Sequence, residues 1–246
     1  AFSPSGAFAF VAEAAANGNP ANLTAFNTCN NQIAESPAIA PNPPVPAVLN
    51  LPFDPFFVKI LPGVHINGAD SSGQPFPDGV HILVLDATGF NIITANATPP
   101  TPPVPTTLCP PTLTFVSNPP LPMPLHAQRV ELGQGNLQPI NLFPSADGTL
   151  LYILAAGHAS VLVYDFGAGS ITSAIDLAGN ATPLSAGVSV DGGTIAVAGS
   201  DGLLHEVSTS LGGSDQVQLS FPNLPNYVNP FCSFGTCGLN LVAVKP

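Results

Sequence analysis

Apolar runs of about five residues, each closed by a polar turn, recur along this chain and are clearest from Pro139 to Val207. Ser145-Ala-Asp147-Gly148 returns as Ser189-Val-Asp191-Gly192, 44 residues on. Each Asp-Gly is followed by an apolar run, Leu150–Leu154 and then Ile195–Ala198, and after a glycine by a second run, Val161–Asp165 and then Leu203–Val207. Strand-length runs repeated at this period indicate a repeat architecture with propeller-type blades. The third repeat resolves into four short strands, near 139–143, 149–154, 160–165 and 171–177. The fourth repeat copies it at 184–189, 194–198, 203–207 and 216–221. Asp-Gly supplies the positive φ that a tight connection between strands requires.

Two further repeats precede these. The first opens at Ser3-Pro-Ser-Gly6, with strands expected at 7–12 and 23–28 and its own first strand missing. The second is looser, with strands at 56–61, 64–69 and 80–88, and it places Asp86 where Asn27 and Asp165 stand at the ends of third strands. Between the second and third repeats lies an insertion of about residues 98–125 with eleven prolines, and a smaller run covers 37–46. Proline lacks the N–H that a central strand donates, so both segments are expected as extended polyproline-type connections or irregular loop. The expectation is therefore an all-β fold, a β-propeller of four-stranded blades in one domain spanning 1–246. Four repeats are visible, and a degenerate fifth would have to hide in the insertion.

At Ser145-Ala-Asp-Gly-Thr-Leu-Leu-Tyr-Ile-Leu154 and Val161-Leu-Val-Tyr-Asp165 the sequence resembles bacterial β-propeller repeats of the YVTN type, in which a Ser-Pro-Asp-Gly turn precedes a Tyr-Val strand and a Val-x-Val-x-Asp strand. Ser3-Pro-Ser-Gly6 with Phe10-Val11 fits that pattern, and Ser189–Val197 fits it with Ala196 in place of Tyr. Ala178-Gly-Asn-Ala-Thr-Pro-Leu184 and Leu241–Pro246 are similar to stretches of secreted propellers of soil acidobacteria. The resemblance covers about two thirds of the chain and implies fold and export. It implies no chemistry, because such repeats serve adhesive, structural and enzymatic proteins alike.

Charge narrows the partners. Only 7% of the 246 residues are charged, the net charge is -11, and the three basic residues are Lys59, Arg129 and Lys245. Such a chain repels nucleic acid and anionic lipid and has no patch with which to track phosphates. Scarce Lys, Arg and Glu beside 30 Pro and 23 Gly argue against long surface helices. No apolar run approaches the roughly 20 residues of a bilayer span. The absence of an initiator Met leaves Ala1 to be read as a processed terminus or the start of a partial chain.

The candidate chemistry is sparse. His65, His81, His126, His158 and His205 have no metal-ligand spacing, and neither a phosphate loop nor a nucleophile elbow is present. Asp147 and Asp191, in Asp-Gly turns, and Asp86 and Asp165, at strand ends, recur with the repeat, which argues for turn hydrogen bonding over catalysis. The loops Asp70–Gly73 and Ser200–Gly202 could receive a cation but read as ordinary turns. No catalytic residue, metal or cofactor is expected. Four Cys and few Lys suit an oxidising compartment: Cys232 and Cys237 close a short loop, which leaves Cys29 to pair with Cys109 and pin the insertion. Asn22, Asn96 and Asn180 head glycosylation sequons, with Pro99 and Pro183 weakening the last two. Fourteen carboxylates against three fixed cations leave few ion pairs to lose, so acid tolerance is expected.

These observations favour a secreted, extracellular, non-catalytic propeller acting as a structural or interaction module, whose partners are further copies of itself, other extracellular proteins or polysaccharide. The 45% hydrophobic residues imply apolar surface for such partners. The alternative is a hydrolase of lactonase type with a divalent cation at the mouth of the channel. The terminal run Leu239–Val244 has the length and alternation of a first strand, and joined notionally to Ala1–Gly6 it completes a repeat. It is expected to close the N-terminal blade, either within one chain or head to tail between chains as a filament or surface layer.

Overall fold

The computed structural model describes residues 1–36, 45–61, 65–66, 68–69, 74–76, 78–98, 112–116, 129–131, 138–189, 191–209 and 213–220. Among them the chain is all-β, with one short 3-10 turn at Ala178–Asn180, and it forms two compact units, Ala1–Gly133 and Gln134–Pro246.

The second unit holds two four-stranded antiparallel sheets. The third repeat forms β12 (Gln138–Pro144), β13 (Leu150–Ala156), β14 (Ser160–Asp165) and β15 (Ser170–Asp176), paired in chain order. The fourth repeats this with β16 (Pro183–Val188), β17 (Thr194–Gly199), β18 (Leu203–Ser208) and β19 (Asp215–Ser220). All eight expected strands are present within about two residues of their expected ends. The two sheets share one core of Phe143, Tyr152, Leu154, Val161, Val163, Ile175, Ile195, Val197 and Val207. The runs of β13 and β14 are apolar on both alternations, and Leu142, Leu151, Ile153, Leu162 and Tyr164, on the other face of the third sheet, are buried too.

The first unit departs from the expectations in three places. In the first repeat, β1 (Phe8–Glu13) pairs with β2 (Asn22–Asn27), and the first-strand place is not empty. Ala1 and Phe10 exchange backbone hydrogen bonds, Ser3 N–H donates to the Phe8 carbonyl, and Phe2 bridges Ala9. The outer edge of β2 is shared end to end by β3 (Gln32–Ile33) and β6 (Val48–Asn50). Between them the chain leaves at Ala34 and returns at Ala47, two residues that are themselves hydrogen-bonded, through a short hairpin of β4 (Glu35–Ser36) and β5 (Val45–Pro46).

In the second repeat, no described strand at 64–69 separates the 56–61 run from the third strand. Instead β7 (Phe57–Ile60) pairs directly with β8 (Val80–Leu85), and Ala69 only bridges Pro75. The third departure lies inside the proline-rich insertion, where β10 (Thr112–Val116) pairs with the far half of β9 (Gly89–Thr98). That stretch contains no proline, so each of its residues keeps its N–H, and the ban on central strands does not reach it. β11 (Arg129–Glu131) continues the same edge of β9, and β4 pairs with β10 to extend the sheet. The rest of the insertion and Leu239–Val244 lie outside the described residues.

Both faces of this second sheet are buried, Ile82, Val84 and Ile93 on one and Leu83, Leu85, Phe90 and Ile92 on the other. The first sheet differs. Phe8, Phe10, Leu23, Ala25 and Leu49 join the core on one face. On the other, the cross-strand row Phe2, Ala9, Phe26, Ile33 and the row Val11, Thr24, Val48 carry exposed apolar side chains. Phe2 is 67% exposed, Ile33 43%, and Val11 and Val48 42% each.

One glycine contact separates packing from backbone strain. Gly192 and Gly202 both have positive φ, +70 and +81, but a Cβ on Gly192 would stand 3.0 Å from the Ala146 Cβ while one on Gly202 meets nothing. Gly202→Ala is expected to cost about 1 kcal/mol, the conformational term alone, and Gly192→Ala about 2–4 kcal/mol, because crowding of the neighbouring turn adds to it. Equal losses in chemical denaturation would show that the close approach of the two turns contributes nothing.

Candidate functional site

The polar side chains of the repeats are spent first on the repeats themselves. The Ser145 hydroxyl donates to Asp147 Oδ1 at 2.6 Å and accepts the Leu150 N–H at 2.9 Å, while the Thr149 N–H donates to Asp147. Ser189, Asp191, Gly193 and Thr194 repeat this, with hydroxyl to carboxylate again at 2.6 Å. In the first repeat Ser5 takes the Asp place, Ser3 Oγ lies 3.2 Å from Ser5 Oγ, and the Phe8 N–H reaches Ser3. A second recurring device closes the strands: Asn27, Asp86 and Asp165 each accept the N–H two residues on, from Cys29, Thr88 and Gly167. This is the turn chemistry of short Asx side chains. Hydroxyl and amide donors hold the carboxyls of Asp147 and Asp191 below their ordinary value, the serine hydroxyl contributing most.

The histidines do not converge. His65 pairs with Asp78 at 2.8 Å on the surface, His158 is exposed, and His126 lies outside the described residues. His81 is fully buried with Nδ1 3.1 Å from Thr94 Oγ1. His205 is also fully buried, its Nδ1 2.6 Å from Asp215 Oδ2 and its Nε2 3.3 Å from Asp201 Oδ1. Each ring nitrogen thus faces a carboxylate oxygen. Asp215 also accepts the Ala178 N–H, and Asp201 the Leu203 N–H, so the cluster ties β18 and β19 to the 3-10 turn. In the strand pairing His205 lies opposite Val197 as Leu162 lies opposite Ile153, so a polar residue takes a buried leucine's place, and that mismatch is the sequence signal that marks it. Among the described residues no three His, Cys, Asp or Glu side chains are arranged to hold a metal ion. Asp201 of the Ser200–Gly202 loop spends its carboxylate on Leu203 and His205, and the Asp70–Gly73 loop lies outside the described residues.

A cleft of about 400 Å³ opens between the two sheets of the second unit, and the sequence did not point to it. Leu150, Val163 and Ile175 form its apolar wall, while Tyr152, Asp165 and Thr209 supply polar groups. Burial raises the Tyr152 phenol, and burial with the charge of Asp165 pushes Tyr164 up to about 12, so both remain protonated donors at neutral pH. Among the described lining residues the charged side chain is Asp165.

Cys29 is disulfide-bonded. Cys109, Cys232 and Cys237, and with them the expected pairings, lie outside the described residues. Asn22 sits within β2, donating to Glu13 and accepting from Thr24. Asn180 projects from the exposed 3-10 turn with φ of 55°. Asn96 lies in β9, and its side chain is outside the description. No helix among the described residues is long and apolar enough to cross a membrane.

No family model and no curated protein matches the sequence. Among solved structures, hydrazine synthase of Kuenenia stuttgartiensis is similar at 10% identity and a TM-score of 0.45, over 84% of this chain and 51% of that one. This chain thus spans about half of that protein. A functionally unknown protein from Desulfotomaculum acetoxidans DSM 771 is similar at 14% identity and a TM-score of 0.39, over 90% of this chain and 70% of that one. A Bacteroides uniformis ATCC 8492 structure titled a "putative 6-phosphogluconolactonase" is similar at 12% identity and a TM-score of 0.38, over 89% and 68%. Likeness at this level carries no argument about activity or partners.

The pH dependence inferred from composition needs correction at two carboxylates. Because the folded pKa values of Asp147 and Asp191 are depressed, the stability they contribute is present above the unfolded aspartate pKa of about 3.9 and is lost as pH falls through the lower folded values. Melting temperature is therefore expected to hold down to about pH 4 and to fall below it, and the double variant Ser145→Ala, Ser189→Ala should flatten that fall. A parallel fall in the variant would show that the serines do not set these carboxyls.

The sequons separate on exposure. Expressed through a eukaryotic secretory pathway, the chain is expected to carry glycan at Asn180 and none at Asn22, whose side chain is engaged within a strand. Glycopeptide mapping that found Asn22 occupied and Asn180 bare would reverse this ranking.

Proposed function

We propose that this chain is a secreted, extracellular, non-catalytic module of YVTN-type repeats that works by binding, and that it associates with further copies of itself. The observation that carries this reading is the outward face of the first sheet. The second and third sheets bury both faces, whereas the first exposes Phe2, Val11, Ile33 and Val48 in two adjoining rows. Of the eight large hydrophobic residues exposed among the described ones, six lie in the first unit, so the apolar surface is concentrated and not scattered. Concentrated apolar surface marks interaction sites. The carboxylates and hydroxyls that a hydrolase would need are committed to turns in every repeat, which supports a scaffold over a catalyst.

Sedimentation equilibrium across a wide concentration range is expected to show association of the wild-type chain. The double variant Val11→Lys, Val48→Lys alters only exposed side chains, so it should keep its melting temperature and shift the equilibrium to monomer. A wild-type chain that stays monomeric at every concentration would remove self-association from the reading.

A further inference from the structure

The cleft of the second unit has a polarity that selects among ligands. Its floor is one face of the third sheet: Leu150 and Tyr152 alternate along β13, Asp165 and Val163 lie opposite them on β14, and Ser173 continues the Tyr152–Val163 row on β15. The register slips between Val163 and Tyr164, so Thr172 is the extra residue of a bulge and lines the cleft beside Ser173. Leu150, Val163 and Ile175 make this floor apolar. Thr209 stands at one side and is itself fixed, its N–H donating to the Gly193 carbonyl at 3.1 Å and its hydroxyl to the Gly192 carbonyl at 2.6 Å. The Tyr152 phenol, hydrogen-bonded to Thr209, therefore gives its proton to that hydroxyl and keeps an acceptor lone pair. Asp165 accepts the Gly167 and Ala168 N–H groups at 2.7 and 3.1 Å, both on Oδ1, so Oδ2 takes no part in the turn. The cleft thus presents acceptors, one of them charged, over an apolar floor.

We propose that this cleft binds a small primary ammonium ion carrying an apolar body, an alkyl- or arylamine, with the ammonium on Asp165 Oδ2 and the body on Leu150, Val163 and Ile175. An ammonium has only donors to offer, and its bond to a carboxylate is about twice as strong as one between neutral groups. A polyol could donate as well, but over this floor its remaining hydroxyls would be buried without partners. An anionic ligand would meet Asp165 with like charge. The volume of about 400 Å³ lies within the roughly 300–1,000 Å³ of small-molecule sites, and the net charge of -11 draws cations toward the chain. The floor belongs to one sheet, so the site needs neither a second copy nor the exposed face of the first sheet.

Calorimetric titration of the full chain with benzylamine, benzyl alcohol and methyl glucoside decides it. Benzylamine is expected to bind with a dissociation constant below about 1 mM and at least about tenfold more tightly than its neutral isostere, benzyl alcohol. Asp165→Asn keeps the oxygen that accepts the turn amides, as Asn27 does with the Cys29 N–H at the corresponding place of the first repeat. It should weaken benzylamine at least about tenfold and leave the melting temperature unchanged. Ser173→Trp, at an exposed position on β15, should fill the cleft and abolish binding of every probe. Equal affinity for benzylamine and benzyl alcohol, or unchanged affinity in a folded Asp165→Asn, would show that the carboxylate does not select the ligand and would overturn the proposal. Tighter binding of methyl glucoside would make the cleft a sugar site, and no heat from any probe up to about 10 mM would remove it as a ligand site. If Asp165→Asn fails to fold, the wild-type preference for benzylamine decides the charge and Ser173→Trp the location, and benzylamine binding retained in Ser173→Trp overturns the assignment.

Discussion

One hydrogen-bonded turn underlies most of what is regular here. The serine hydroxyl at the end of a first strand accepts the N–H five residues on, at the start of the second, and so fixes the register of the pair. The carboxylate two residues on holds that hydroxyl and the turn amides in place. A one-residue slip would exchange the two faces of a strand, so a turn that sets register also decides which residues reach the core. Where the motif is intact, in the third and fourth repeats, four strands pair in chain order. Where Ser5 replaces the aspartate, the hydroxyl still captures the Phe8 N–H, and the first sheet keeps its register without the charge.

Burial then distinguishes sheets that are locally alike. Two sheets hide both faces and the first hides one, although all are built from runs of similar composition. Burying a Leu or Ile side chain is worth about 1.5–3 kcal/mol, so a face carrying Phe2, Val11, Ile33 and Val48 in water forgoes several kcal/mol that a covering surface could recover. The buried His205 shows the opposite accommodation. A polar ring at a core position is tolerated because both of its nitrogens have polar partners, Asp215 and Asp201, and removal of either would leave one buried nitrogen without its partner.

Insertions are placed where the repeat can tolerate them. The excursion of residues 35–46 leaves and re-enters beside a hydrogen bond between Ala34 and Ala47, so the outer strand of the first sheet is continuous in space though broken in sequence. The outer edge of β9 is likewise shared by β10 and β11. Outer strands pair on one side with the repeat and on the other with whatever the insertion brings, which is why lengthening there leaves the inner strands in register.

Strands β12 to β19 were legible because local signals agree there: an Asp-Gly turn with positive φ, a serine five residues before the capped N–H, and apolar runs of strand length. The strand Thr112–Val116 is hidden in the sequence because proline density is a property of the whole insertion, while pairing acts on individual N–H groups. The direct pairing of Phe57–Ile60 with Val80–Leu85 was hidden for a related reason: a loop of any content can intervene between partners, and nothing local says which apolar run a strand will choose. Of the site, the sequence determined the turn chemistry of Asp147, Asp191, Asp86 and Asp165, since those bonds span only a few residues. Only the tertiary structure decided that His205 is enclosed by Asp201 and Asp215, that Tyr152, Asp165 and Thr209 share a cleft, and that one face of the first sheet stays in water. Each of those depends on which faces of distant strands come together, and period-two alternation gives every strand two faces without saying which of them will be covered.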